Sequence, residues 1–326
     1  GRPLWKFPVR LPGQQQVQRE VGAQVWHSQG CPPRWRLPQL PRPWGWGWAG
    51  PGHVSSGVPL GPAPQGAPRP MAGLNVSLSF FFATFALCQA ARRLSKALLP
   101  AGAYASFARE AVGAAQLGAC CLEMRVLVEL GPWAGGFGPD LLLTLLFLLL
   151  LAHWATCDGA AANPTVSLQE LLLAEASVPC TLLALAAQGL GMQTARVLTR
   201  RYWAWELSDL HVLQSLMDAH CSSALRTSVL HGTLVEGACA FFFHLSLLRF
   251  RNSLPVYRVP LTALLVTFMA YTGPFTSAFF NPALAASVTF QCSGPTLLEY
   301  AQVYWLGPLT VLLLLLSVRC PRDLIR

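Results

Sequence analysis

Residues 157–167 read CDGAAANPTVS and residues 271–285 read YTGPFTSAFFNPALA. They hold two of the chain's four asparagines, Asn163 and Asn281, each followed directly by proline and each closing a hydrophobic stretch. With 26 prolines in the chain, the dipeptide alone says little. Its place decides the fold: an Asn-Pro after an apolar run, and before a short apolar helical run, starts a half-helix inside a bilayer. Proline at the first helical position loses nothing, because its missing N–H would have had no intrahelical partner. Asparagine before it caps the free N–H groups and keeps its amide turned toward a cavity. The helix that follows points its positive end at the same spot. Broken helices of this kind persist in a membrane only where they line a protein-walled cavity.

Composition agrees with a membrane class. Hydrophobic residues make up 53% of the 326, charged ones 11%, and mean hydropathy is positive. Apolar runs predict spans over 72–92, 138–157, 176–199, 230–250, 258–274 and 300–318. The runs 164–174 and 282–291 are too short to cross and read as re-entrant half-helices. Three spans separate the two Asn-Pro sites, and an odd number puts the sites on opposite membrane faces. The expected fold is therefore all-α: six spans and two half-helices in an inverted repeat, with halves over about 71–200 and 201–319. Residues 93–136 read as a long loop.

The segment Gly159 to Ser167, with Asn163-Pro164-Thr165 at its centre, and Asn281-Pro282-Ala283 preceded by Tyr271-Thr272-Gly273 resemble the aquaporin family. In that family two Asn-Pro-Ala boxes meet in the middle of an hourglass pore. The resemblance covers 71–326. Thr165 in place of the usual alanine, and Cys292 nine residues beyond Ala283, are similar to the divergent intracellular members. The resemblance implies passive conduction of water or small neutral solutes such as glycerol or hydrogen peroxide, in an intracellular membrane such as the endoplasmic reticulum, by a homotetramer and without cofactor. It implies that Asn163 and Asn281 donate to the passing molecule, that Pro164 and Pro282 set the half-helix entries, and that Thr165 and Ala283 meet at the constriction. Glu236 resembles the carboxylate that tethers a re-entrant loop, and Cys292 a structural residue.

Two positions depart from the family pattern. Leu284 stands where orthodox members carry an arginine, and no histidine occurs in the run before Tyr271. The outer constriction is expected to be apolar, either wider or dewetted. Two rival readings stand beside the channel. One is a non-conducting scaffold with the same fold. The other is an inverted-repeat secondary transporter, which needs a binding charge near the midplane that the sequence around the boxes lacks.

Residues 1–70 hold 14 of the 26 prolines, six of the eleven tryptophans, and eight Lys/Arg against Glu20 alone. The first methionine, Met71, directly precedes the first apolar span. The favoured reading is translated upstream sequence; the alternative is a basic, Trp-rich tail touching anionic membrane. The net charge of +9 is mostly this segment and does not point to nucleic acid. Ten scattered cysteines without a C-x-x-C pair give no metal site or disulfide framework. No nucleophile–base arrangement or phosphate-binding loop suggests an enzyme. His153 and His244 fall within spans and read as packing residues. Asn75-Val76-Ser77 matches a glycosylation acceptor that the family topology would make cytosolic. Basic residues at 249–258 and 319–326 fit a cytosolic face. Arg92, Arg93 and Lys96, on the far side of the first span, and Arg196, Arg200 and Arg201, after the third, conflict with them.

Overall fold

The computed structural model describes residues 70–131, 137–217, 225–273, 276–289 and 296–323; the segment 1–69 and Cys292 lie outside them. All regular structure among the described residues is helical. The long helices are α1 (Pro70–Leu98), α2 (Ala103–Leu130), α3 (Pro139–Thr156), α5 (Val178–Trp203), α7 (Val229–Arg249) and α8 (Pro255–Thr272). The short helices α4 (Pro164–Leu172) and α9 (Pro282–Thr289) follow the two Asn-Pro sites, and α6 (Asp209–Met217) lies between α5 and α7. The last helix comes in three pieces: α10 (Leu297–Ala301), a π-helical turn (Gln302–Leu306) and α11 (Gly307–Asp323). Proline in the first turn opens α3, α4, α5 and α8, where its fixed φ and absent N–H cost nothing.

Helices α1, α2, α3, α7 and Leu297–Ser317 are each long and apolar enough to cross a membrane. With α5 and α8, the helices from α2 onward make six spans around two half-helices. The repeat is visible in the packing: α2 lies along α5 as α7 lies along α11, and α3 meets α8 between them. Both long pairs cross at glycine. A Cβ on Gly191 of α5 would stand 2.2 Å from the Ala111 carbonyl of α2, and one on Gly307 would stand 2.6 Å from the Thr233 carbonyl of α7. Backbones this close need a residue without a side chain, the usual means of tight helix crossing in lipid.

The structure corrects the sequence expectation at one place. Residues 93–136 are not a loop; most of them form α2, and α1 is a further long helix outside the repeat. The charged residues Arg109, Glu110, Glu123, Arg125 and Glu129 give α2 the look of a loop. It is instead the most enclosed candidate span, with 61% of its most apolar window buried, against 11% for α1. A span walled by protein can carry polar groups if they are paired inside, and those of α2 are. Glu123 accepts from Ser77 Oγ of α1 (2.6 Å), from Trp203 Nε1 of α5 (2.7 Å), and faces His211 Nε2 of α6 (3.1 Å). This knot docks α1 and α6 onto the bundle.

The extra helix also removes the conflict of Arg92, Arg93 and Lys96, whereas Arg196, Arg200 and Arg201, late in α5, stay at the other end. Lys96 at the end of α1 pairs with Asp158, and Arg251 after α7 pairs with Glu175 after α4. The C-terminal ends of α1, α3, α4 and α7 and the start of α2 therefore share one end of the bundle. Arg226 before α7 reaches Glu129 late in α2 at 3.1 Å, at the opposite end. Arg92, Arg93 and Lys96 thus belong with Arg249, Arg251 and Arg258, not across from them. Asn75 moves to the opposite end, and Ser77 of that sequon is buried against Glu123.

Candidate functional site

Asn163 has extended backbone (φ −146°, ψ 119°), and its Oδ1 accepts from the Thr165 N–H at 3.0 Å, capping α4. Asn281 does the same for α9, accepting from the Leu284 N–H at 3.2 Å. The remaining polar edge of each side chain crosses to the other box. Asn163 Nδ2 donates to the Phe280 carbonyl at 3.2 Å, and Asn281 Nδ2 donates to the Ala162 carbonyl at 2.9 Å. Each asparagine therefore binds the residue just before the other asparagine. The two half-helices meet N-terminus to N-terminus, and both positive ends converge on the junction. Each amide has two N–H groups, so one remains beyond the bond across the junction.

The backbone that makes this exchange possible is strained. Ala162 (φ 51°) and Phe280 (φ 33°) both occupy the left-handed region, which disfavours side chains. In each case a buried carboxylate holds the strained residue. Glu110 of α2 accepts from the N–H groups of Ala161 (2.9 Å) and Ala162 (3.1 Å). Glu236 of α7 accepts from those of Phe279 (3.1 Å) and Phe280 (2.6 Å). The two carboxylates sit on equivalent helices and grip equivalent peptides. Pinning these N–H groups turns the carbonyls of 162 and 280 toward the opposite asparagine.

Further side chains buttress each half. Gln188 of α5 donates to Glu110 Oε2 and to Ser167 Oγ, each at 2.9 Å. On the second half, Tyr300 Oη donates to the Pro282 carbonyl at 2.6 Å, and Tyr304 Oη to the Thr276 carbonyl at 3.3 Å. Tyr300 in α10 touches the second box, and Tyr304, inside the π-helical turn, packs beside it. Thr165 is fully buried; its hydroxyl donates to Asn163 Oδ1 at 2.9 Å and lies 3.1 Å from His244 Nε2 of α7. The other ring nitrogen of His244 contacts Gln169 of α4. The threonine of the first box thus has its own polar partner on the opposite repeat. Leu284 is buried, clustered with Ala114, Ala162 and Met192, with Ala283 packed beside them. At the bundle end, the Lys96 ammonium hydrogen-bonds Asp158 and holds its carboxyl below the usual carboxylate range, with Arg109 and Arg92 adding to the effect.

Of the residues singled out from sequence, Asn163, Pro164, Thr165, Asn281, Pro282 and Glu236 come together at this junction, and Ala283 and Leu284 line its apolar flank. Glu110, Gln188, Gln169, Tyr300 and the polar role of His244 escape sequence reasoning. Glu110 carries a signal: Glu110-Ala111-Val112-Gly113-Ala114 parallels Glu236-Gly237-Ala238-Cys239-Ala240, an acid followed by small residues that let another backbone approach.

Comparison with known proteins agrees with this geometry. No family model matches the chain. It is 76% identical over 245 residues to aquaporin-12 of Mus musculus, covering 75% of this chain and 84% of that protein. It is 74% identical over 245 residues to putative aquaporin-12A of Homo sapiens, covering 75% of this chain and 79% of that one. Aquaporin-11 of Homo sapiens is 31% identical over 242 residues, 74% of this chain and 87% of that one.

Proposed function

The chain belongs to the aquaporin family of membrane channels and is not an enzyme, and from that premise we propose that it passes water and small neutral solutes down their gradients. The observation that carries the reading is the reciprocal junction of Asn163 and Asn281. It fixes two amides, each with an N–H to spare, at the meeting point of two positive helix ends. A neutral molecule with an oxygen acceptor can replace its water partners there, whereas a cation meets donors and positive ends. The polar groups touching the two boxes are amides, hydroxyls, carbonyls and the His244 imidazole. Among the described residues, the carboxylates beside the boxes, Glu110 and Glu236, are both held by backbone N–H groups, so neither is a free acid for a secondary transporter to use.

Selectivity turns on Leu284. Buried among small and apolar side chains, it offers a passing solute no hydrogen bond. That favours slow water flux with relative tolerance of glycerol or hydrogen peroxide. The same apolar flank is the observation that favours a second reading, a scaffold that keeps the fold without conducting. We also infer an intracellular membrane, such as the endoplasmic reticulum, from the likeness of Thr165 and its box to the intracellular members, and a homotetramer from membership of the family. Cell fractionation and cross-linking in membranes test those two points. The basic end of the bundle, with Arg92, Arg93, Lys96, Arg249, Arg251 and Arg258, is assigned to the cytosol by the excess of positive charge.

Stopped-flow light scattering on proteoliposomes holding the full chain tests conduction, under sucrose, then glycerol, then peroxide gradients. Water flux well above empty vesicles with weak temperature dependence supports the channel. Folded protein without flux for any of the three leaves the scaffold.

A further inference from the structure

Arg92 lies in α1, the helix outside the repeat, yet only 3% of it is exposed. Its Nη2 donates to Gln116 Oε1 of α2 at 2.7 Å, and its Nη1 lies 3.5 Å from Gln89 Oε1. Among the described residues no carboxylate pairs with it, and its Nε has no partner. Guanidinium keeps its proton inside proteins, so a full positive charge is held within the bundle; its field reaches Asp158, but that carboxylate is already paired with Lys96. Such a charge is costly to bury and marks a functional position in a membrane protein.

What Arg92 reaches through Gln116 gives the charge a role. Gln116 Nε2 lies 3.1 Å from Thr156 Oγ1 and 3.1 Å from His153 Nδ1 of α3. Gln116 and His153 stand among the otherwise apolar residues lining a cavity of about 20 Å³ between α2 and α3, a space of water size. Leu117 and Cys121 also line it, and both pack against the cluster of Ala162 and Leu284 from the two boxes. A water-sized space thus adjoins the junction, and a fixed charge stands one hydrogen-bonded side chain behind its wall.

We propose that Arg92 is a specificity-determining residue of the channel, the fixed positive charge that keeps cations out of the passage between α2, α3 and the boxes. The inference rests on the channel reading and deepens it. Water carries no net charge, so the field of Arg92 costs it little. A monovalent cation in the same low-dielectric space is repelled over several ångströms. The extra helix is then part of the permeation apparatus and not only a membrane anchor.

The test uses the full chain in proteoliposomes, with water flux by light scattering and potassium and proton leak by entrapped dyes, read as the ratio of leak to water flux. Arg92→Gln removes the charge but keeps a donor for Gln116, and Arg92→Lys keeps the charge. The expected result is a ratio raised roughly tenfold or more in Arg92→Gln and near the parent value in Arg92→Lys. The double variant Arg92→Met with Gln116→Leu removes charge and partner together, so a folding defect from an orphaned amide does not decide the outcome. Variants that lower water flux with an unchanged ratio make Arg92 a structural lock and overturn the proposal. A parent chain that passes no water sinks the channel reading instead. The charge proposal then stands only if the Gln variant gains cation leak over its parent, and is overturned otherwise.

Discussion

Replacing Glu236 with glutamine keeps the shape of the side chain and removes one of its two acceptors. The carboxylate takes two backbone N–H groups, Phe279 at 3.1 Å and Phe280 at 2.6 Å, and both oxygens are used. The amide can serve one of them; its NH2 then faces the other N–H, donor against donor. An orphaned buried donor costs about 1–3 kcal/mol, and the bond that survives drops from charge-assisted to ordinary strength, about 1 kcal/mol more. The total is about 2–4 kcal/mol. At about 2–4 °C per kcal/mol for a chain of this size, the melting temperature in detergent should fall by roughly 4–16 °C. Flux should fall as well, because Phe280 at φ 33° stores about 1–3 kcal/mol of backbone strain. Once released, that peptide can turn its carbonyl away from Asn163. Glu110→Gln should act in the same way on the first box. Because each asparagine is bonded to the other box, the double variant should depart from additivity by about 0.5–3 kcal/mol. A Glu236→Gln protein that melts within about 2 °C of its parent and conducts at the parent rate would refute the tether reasoning.

Three further outcomes follow from the same geometry. Gly191→Ala drives a methyl group to 2.2 Å from the Ala111 carbonyl, so α2 and α5 must separate at a cost of about 1–3 kcal/mol; thermal melting checks it, and an unchanged midpoint would contradict the close crossing. Thr165→Ala leaves His244 Nε2 buried without its hydroxyl partner, about 1–3 kcal/mol, while Thr165→Ser keeps it; equal stability of the two variants would show that the hydroxyl has no role. The Lys96–Asp158 pair carries a depressed carboxyl pKa, so its contribution is present above the ordinary carboxylate range and is lost as pH falls through the lowered value. The pair is largely exposed, so the effect stays within about 1 kcal/mol; Lys96→Met should abolish it, and an identical acid profile in that variant would dismiss the pair.

The two Asn-Pro dipeptides make much of this protein legible in its sequence. Proline and asparagine act locally: they start a helix and cap it wherever they stand, so the half-helices and their caps can be read from four residues. Hydropathy likewise marks α3, α7 and the last helix, whose outward faces are apolar. It marks α2 as well, but the charged residues on either side of that apolar middle give the segment the look of a loop, because sequence counts residues without knowing their partners. Glu110, Gln116 and Glu123 look like loop residues until Ala161, Arg92 and Trp203 are brought to them. His244 looks like a packing residue for the same reason, since its partners Thr165 and Gln169 are more than seventy positions away.

By itself the sequence determined that the chain is a helical membrane protein with two capped half-helices in opposite orientation, because caps, breaks and apolar runs are local properties of the chain. Only the tertiary structure decided which helix is the extra one, that Glu110 holds the first strained peptide as Glu236 holds the second, and that each asparagine binds the residue before the other. Those are contacts between segments far apart in the chain. They exist only once the apolar faces have packed and left the polar groups no water to bind.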